Sequence, residues 1–419
     1  MTAKVLKGHV LYTESPDAFV VLENSYLVYE GNKILSVSKT LSNAYQECEI
    51  EDFKGALIVP GFYDLHLHSG QYPQCGIGMS KQLLEWLEDY TYKLEKRFED
   101  VAFADQVNSM FVNALIRVGT LGSSVFATTS LVGTESLYKA FIKSGLRAYI
   151  GKVCMESDAP DYIIKDHETN IGDVIRLIRA HEHQKLVKSI ITPRFAPTST
   201  AKSLEELGSL ARQYNLPVQS HIDENMDEIK WVQSLYGGDS YAGVYDVHGL
   251  YGQQATLMAH GIYMNDDEIQ LTKERDVILV HCPDSNLNLR SGIMPVRKYL
   301  NEGIRVGLGT DIAGGHKISM TEAIVRAIQL SKQLSIEETD YEPLKFSEAY
   351  YMATVVGGNF FGELGKLKPN YDMDCLIIED SDLYRDLYSP LERLEKFVYI
   401  GDDRWISRRY VAGKIITTI

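Results

Sequence analysis

Cysteine is scarce and badly placed for stapling a fold. Cys48, Cys75, Cys154, Cys282 and Cys375 are odd in number and scattered, and no two form a C-x-x-C pair. That spacing excludes a disulfide framework and argues against a structural zinc-thiolate site. Long apolar runs are missing too. No stretch reaches the ~18 residues of a membrane span, and Met1 to Val10 lacks the basic flank and apolar run of a secretory leader. No membrane partner is expected, and the expected compartment is the cytoplasm. Positive charge is in deficit, with 42 Lys and Arg against 57 Asp and Glu and a net charge of −15. Nucleic acids and anionic membranes are usually met by an excess of Lys and Arg, so nucleic acid is not expected as a partner either. Low-complexity linkers and solenoid-type repeats are also absent.

What the chain has is an ordinary globular composition, 45% apolar and 24% charged, over 419 residues. A parallel α/β barrel takes ~250 residues, which leaves room for one smaller domain. Short β-branched or apolar runs recur at Leu57 to His66, Thr120 to Ala127, Ala148 to Met155, Ser189 to Phe195, Pro217 to His221, Thr256 to His260, Val277 to His281 and Arg305 to Thr310. Helical stretches separate them. From Leu83 to Phe98, for instance, Leu83, Leu84, Leu87, Tyr90, Leu94 and Phe98 keep an i, i+3/i+4 spacing and are expected to be core, with Trp86 a candidate pocket wall. Strand followed by helix is the rhythm of a parallel sheet, and its recurrence predicts a (β/α)8 TIM-type barrel over residues 57–368. The ends differ. Lys4 to Thr13, Phe19 to Val28, Ile34 to Lys39, Cys375 to Ile378 and Tyr410 to Thr418 read as short strands without intervening helices. They predict a small β-sandwich domain built from residues 1–56 and 369–419.

Chemistry concentrates where these runs end. Alternation along a strand points His66 and His68 to one side while Leu67 faces away. His221, His260 and Asp311 also close or follow strand runs, and in a barrel those positions share the rim that carries active sites. Unrelated polar strand caps are the competing explanation. Imidazoles with a carboxylate suit Zn²⁺ or Fe²⁺, and an open position on such an ion activates a water. Glu224, three residues after His221, is placed either as a general acid or as a carboxylate that complements a helix N-terminus.

The segments Pro60-Gly61-Phe62-Tyr63-Asp64-Leu65-His66-Leu67-His68-Ser69-Gly70-Gln71-Tyr72, Leu84-Glu85-Trp86-Leu87, Thr192-Pro193-Arg194-Phe195, Ser220-His221-Ile222-Asp223-Glu224-Asn225, Met258-Ala259-His260-Gly261, His281-Cys282-Pro283-Asp284-Ser285-Asn286 and Gly309-Thr310-Asp311 carry a resemblance. With them the chain resembles the amidohydrolase superfamily and, within it, the guanine deaminase family. The resemblance implies one Zn²⁺ per subunit, with Fe²⁺ as an alternative, held by His66, His68, His221 and Asp311. It implies that His260 orients the attacking water, that Asp311 takes a proton from it, and that Glu224 protonates N3 of guanine and assists release of ammonia. Gln71, Arg194 and Phe195 would hold the purine beside His221, Glu224 and Asp311, and a homodimer is expected by analogy. From the residues alone, Phe195 could be core and Arg194 a rim ion pair. Two other readings stand beside this one. The first is a deaminase or dechlorinase of another heterocycle, such as a triazine, cytosine or a modified adenosine. The second is a non-catalytic scaffold. The binuclear relatives carry a lysine where this chain has Arg194, so a single metal is expected, and the H-x-E and P-C-x-x-C pattern of a further deaminase class is absent.

Overall fold

The computed structural model describes residues 3–419. Met1 and Thr2, at which the expected small domain and the reading of the amino-terminal segment begin, lie outside the described residues. The chain opens with β1 (Lys4–Ser15), β2 (Ala18–Glu30), β3 (Lys33–Ser38) and β4 (Ile50–Pro60), and β1 pairs antiparallel with β2 and parallel with β4. The period of two in their side chains gives this sheet two buried faces. Val10 and Ile58 enter a small core with Tyr29 and Leu27, whereas Leu11, Leu57 and Val59 join the main core of the molecule.

The run expected as one strand from Leu57 to His66 is two strands. β4 continues past the expected domain boundary to Pro60, and the chain turns at Gly61 into β5 (Phe62–His68). A Cβ at Gly61 would collide with the side chain of Leu121, so this close approach requires glycine. β5, β6 (Thr120–Phe126), β7 (Arg147–Gly151) and β8 (Val187–Ser189) form one parallel sheet in that order. β9 (Val218–Ile222), β10 (Thr256–His260), β11 (Ile278–His281) and β12 (Val306–Leu308) form another. Helices connect successive strands, and every residue of β5 and β6 is buried, as in a sheet covered on both faces. A bridge between Ile191 and Val218 links the two sheets at one margin. At the other, Asp311 N donates to His66 O at 2.8 Å and His68 N to Ile312 O at 2.9 Å. Buried Asp64 ties the same seam by accepting from the backbone N of Thr310 (3.0 Å) and of His66 (3.2 Å).

The carboxyl end returns to the first sheet. β13 (Cys375–Ile378) pairs antiparallel with β4, from Cys375 against Pro60 to Ile378 against Leu57, and β14 (Ile406–Val411) and β15 (Lys414–Ile415) extend the sheet outward. The expectation of strands without helices fails here, because helices Asp382–Leu387 and Pro390–Ile400 lie between β13 and β14. Ser389 and Glu392 form a capping box in front of Pro390, a helix start with its own sequence signature. Arg393, buried in that helix, then pairs with Asp380 at 2.6 Å. Among the described residues no helix is long and apolar enough to cross a membrane.

Candidate active site

His66 and His68 leave β5 on the same side, as alternation requires, with ring centroids 4.9 Å apart. At the carboxyl ends of strands in the other parallel sheet, His221 comes from β9, His260 closes β10, and Asp311 follows β12. The Nε2 atoms of His66 and of His68 each lie 3.3 Å from Asp311 Oδ1, and His221 Nε2 is 3.3 Å from His68 Nε2. Residues expected from their strand-end placement thus meet at one point, with all five buried or nearly so. His260 and Asp311 sit there with φ of +76° and +45°. Left-handed backbone in residues other than glycine costs energy and is held by its surroundings, which is common where a side chain must be aimed.

The protons on these rings follow from their second partners. His221 Nδ1 lies 2.6 Å from the carbonyl oxygen of Arg194, which can only accept, so Nδ1 carries the hydrogen and Nε2 keeps its lone pair. His260 Nδ1 donates to Asn286 Oδ1 at 2.8 Å, leaving Nε2 at 3.3 Å from Glu224 Oε2 and 3.8 Å from Asp311 Oδ2. Burial lowers the imidazole of His66 to about 4 and also lowers those of His68 and His221, which keeps them neutral. His66 Nε2 has no hydrogen-bond partner although it is buried. Neutral imidazoles with facing lone pairs and an ionised carboxylate make a donor set for a divalent cation. Two overlapping triads have ligating atoms within 4.8 Å of one another: His66, His68 and His221, and His66, His260 and Asp311.

Glu224 follows β9 and is buried; Ser291 donates to its Oε1 at 2.8 Å. Burial, aided by the charge of Asp311, raises its carboxyl above the ordinary range despite the opposing pull of His260. Its backbone N donates to Glu228 Oε2 at 3.2 Å, at the start of the helix Met226–Leu235. The dipole-complementing role open to Glu224 from sequence therefore belongs instead to Glu228, which accepts from the N-terminal amides.

A cavity opens on this cluster and is lined by Gln71, Arg194, Phe195, His221, Glu224, His260 and Asp311. Gln71 lies on the turn Ser69–Gln74 that follows β5. Phe195 packs edge-on against Trp231 at 5.9 Å and is nearly buried, yet still walls the cavity. Arg194 is in an ion pair, but a buried one: its Nη1 donates to Glu95 Oε1 and Oε2 at 3.1 and 3.0 Å. Trp86, a candidate pocket wall, does line the cavity, and its Nε1 donates to Ile77 O.

Glu95 was missed because the helix that carries it is not regular. The stretch Leu83–Glu99 contains a π-helical turn at Leu87–Thr91, which advances the inward face by about one residue. From its last residue onward Thr91, Tyr92 and Glu95 are buried, while Tyr90, within the turn, and Leu94, both expected as core, are only half-buried. A straight 3.6-residue period leaves Glu95 beside the apolar stripe and gives no sign that it turns inward. Ser291 and Asn286 were equally hidden, since each acts only through the group it orients.

With this geometry in view, the chain's relationships are specific. Residues 57–416 match the Amidohydrolase family. The guanine deaminase of Dictyostelium discoideum is 35% identical, covering 99% of this chain and 98% of that one, and the guanine deaminase of Escherichia coli K12 is 33% identical, covering 96% and 93%. A crystal structure of guanine deaminase from C. acetobutylicum, with guanine bound in its active site, superposes with a TM-score of 0.98 at 45% identity over 99% of this chain and 100% of that one. The chain therefore belongs to the amidohydrolase family and, within it, to the guanine deaminases.

Proposed function

We propose that this chain hydrolyses guanine to xanthine and ammonia. The observation that carries the reading is a single cavity in which the His/Asp cluster and Glu224 face Gln71, Arg194 and Phe195. The guanine-bound relative from C. acetobutylicum supports the same substrate. We assign His66, His68, His221 and Asp311 as ligands of one Zn²⁺ per subunit, with Fe²⁺ chemically admissible for the same donors. When bound, such an ion supplies Lewis acidity and lowers the pKa of water toward neutrality. The chain's own groups do the rest. Asp311 accepts a proton from the water that adds to C2 of guanine, and His260, held by Asn286, orients that water. Glu224, whose raised proton affinity suits a group that must carry a proton, delivers one to N3 and then relays the proton of the new C2 hydroxyl to the 2-amino group, which leaves as ammonia, and the proton taken by Asp311 restores the acid. Arg194 donates to O6, Gln71 pairs with the purine edge, and Phe195 gives an apolar wall.

The architecture is read as a closed (β/α)8 barrel over residues 57–368, supported by the bridges and hydrogen bonds at both margins of the parallel sheets. Residues 1–56 and 369–419 are read as a β-sandwich. In support, Tyr29 of β2 and Tyr410 of β14 touch at 6.3 Å although β1, β4 and β13 separate their strands in the sheet, so the sheet curls on itself. A cytoplasmic homodimer acting on the free base completes the reading, in keeping with the acidic chain. The deciding experiment is turnover of guanine by purified, metal-loaded protein with xanthine and ammonia measured in equal amounts. No xanthine at saturating guanine refutes the assignment.

A further inference from the structure

We infer that Glu95 is a positioning residue that fixes which groups of Gln71 and Arg194 are presented to the substrate, and so sets selectivity at the purine 6-position. The inference rests on the reading of Gln71 and Arg194 as substrate contacts. Its own basis is the geometry of a fully buried carboxylate that touches both. Glu95 Oε1 accepts from Gln71 Nε2 at 3.3 Å and from Arg194 Nη1 at 3.1 Å, and Oε2 accepts from Arg194 Nη1 at 3.0 Å. At the other end of the Gln71 amide, Oε1 accepts from the backbone N of Ala313 at 3.4 Å.

A carboxylate only accepts and a backbone N–H only donates, so the Gln71 amide has one orientation; flipping it would set oxygen against oxygen and NH₂ against N–H. Arg194 is constrained in the same way. Both Glu95 oxygens are taken by Nη1, which leaves Nε and Nη2 as the donors for other partners, and the ring of Tyr92 lies 5.3 Å from its guanidinium carbon. Burial disfavours the guanidinium charge, and Glu95 offsets that loss. Gly70 packs closely beside it, where a Cβ would sit 2.5 Å from Thr128 Cγ2 and 3.2 Å from Glu95 Cγ. The approach depends on the π-turn that rotates Glu95 inward.

Glu95→Gln keeps the shape but places an NH₂ in the acceptor cluster. If its oxygen takes the Oε2 position, its nitrogen faces Gln71, which must then turn its own oxygen toward it and present the wrong end to the substrate; if its oxygen takes the Oε1 position shared by Gln71 and Arg194, its nitrogen meets Arg194 Nη1 donor against donor and pushes the guanidinium out of line. The expected result is a KM for guanine raised by ~10-fold or more with kcat changed less, since the lost alignment acts on binding. Metal content should match the wild type. Competitive inhibition by hypoxanthine and by purine, which differ in the 6-oxygen, separates positioning from a merely structural role. Wild type should prefer hypoxanthine, and the preference should fall by ~10-fold in Glu95→Gln, whereas a structural lesion weakens both inhibitors alike. Glu95→Asp retains the charge and should recover most of the preference. If Glu95→Gln does not fold, Glu95→Asp is judged by its KM, which retraction of the carboxylate should still raise. An unchanged hypoxanthine preference in folded Glu95→Gln, or an unchanged KM in Glu95→Asp, overturns the inference while guanine turnover by wild type stands. Absence of guanine turnover by wild type instead removes the functional reading, and this inference with it.

Discussion

Replacing Glu224 by Gln isolates the proton from every other property of the site. The side chain is buried, accepts from Ser291 at 2.8 Å, and stands 3.3 Å from His260 Nε2. A glutamine keeps that volume, and its Oε1 still accepts from Ser291 Oγ. Burial already disfavours the carboxylate form of Glu224, so a neutral amide there should cost little stability. Glu224 also lies outside both triads that could grip an ion, so metal content should stay near that of the wild type. What is lost is transfer to N3 and to the departing amino group. General acid–base catalysis contributes ~10²–10⁴ in rate, which corresponds to roughly 3–5.5 kcal/mol of barrier. Because the interaction exists only as the proton moves, kcat and kcat/KM for guanine should fall together by ~10² or more. The assay is initial-rate xanthine formation, with metal analysis and thermal unfolding on the same samples. A variant at the wild-type rate takes Glu224 out of the chemistry, and one that has lost its metal makes Glu224 a ligand.

Alanine at His66, His68, His221 or Asp311 should remove activity and bound metal together; stoichiometric metal with full turnover after any one change withdraws that ligand. Arg194→Ala should lower kcat/KM for guanine with metal retained, because adenine offers an amino group where guanine offers O6 and a guanidinium can only donate; wild-type efficiency on guanine would show that Arg194 does not read O6. Acid stability should depend on His281, whose imidazole burial lowers from 6.5 to about 3, with His260 adding to the effect. Between those values the unfolded chain binds a proton that the folded chain does not, so this contribution is complete above 6.5 and is lost as pH falls toward 3, at roughly 1.4 kcal/mol per pH unit. Urea titrations of His281→Gln should show a shallower loss of stability than wild type over that window, and equal slopes would contradict it.

The meeting of His66, His68, His221, His260 and Asp311 was legible because strand geometry is rigid. A period of two fixes where His66 and His68 point, and a parallel sheet sends all its strand ends to one side, so His221, His260 and Asp311 meet without any local signal linking them. Glu95 was not legible for the opposite reason. Its inward aim depends on a π-turn at Leu87–Thr91, and nothing in Leu83 to Phe98 separates a helix with one extra residue from a regular one. The strand boundary at Gly61 was legible in principle, because Pro60-Gly61 is a turn dipeptide inside the run from Leu57 to His66, and close packing against Leu121 fixes glycine there. The two late helices were legible in principle. Ser389, Pro390 and Glu392 spell a helix start, but a short amphipathic helix between strands was overlooked beside the alternation of the neighbouring runs.

The split between legible and hidden parts follows a division of labour in the site. Groups proposed to do chemistry sit on strand ends, where a slip of one residue would turn the side chain to the other face, so their placement tolerates no alternative. Groups that orient them, Asn286 on His260 and Ser291 on Glu224, come from the segment after β11, and Glu95 comes from the helix after β5. Such supports can be supplied from many directions, because only a hydrogen-bonding atom at the right point is needed. A change of substrate within this scaffold is therefore expected to arise first in the helix Leu83–Glu99 and the turn Ser69–Gln74, which meet through Gln71 and Glu95, while the strand-end donors stay as they are.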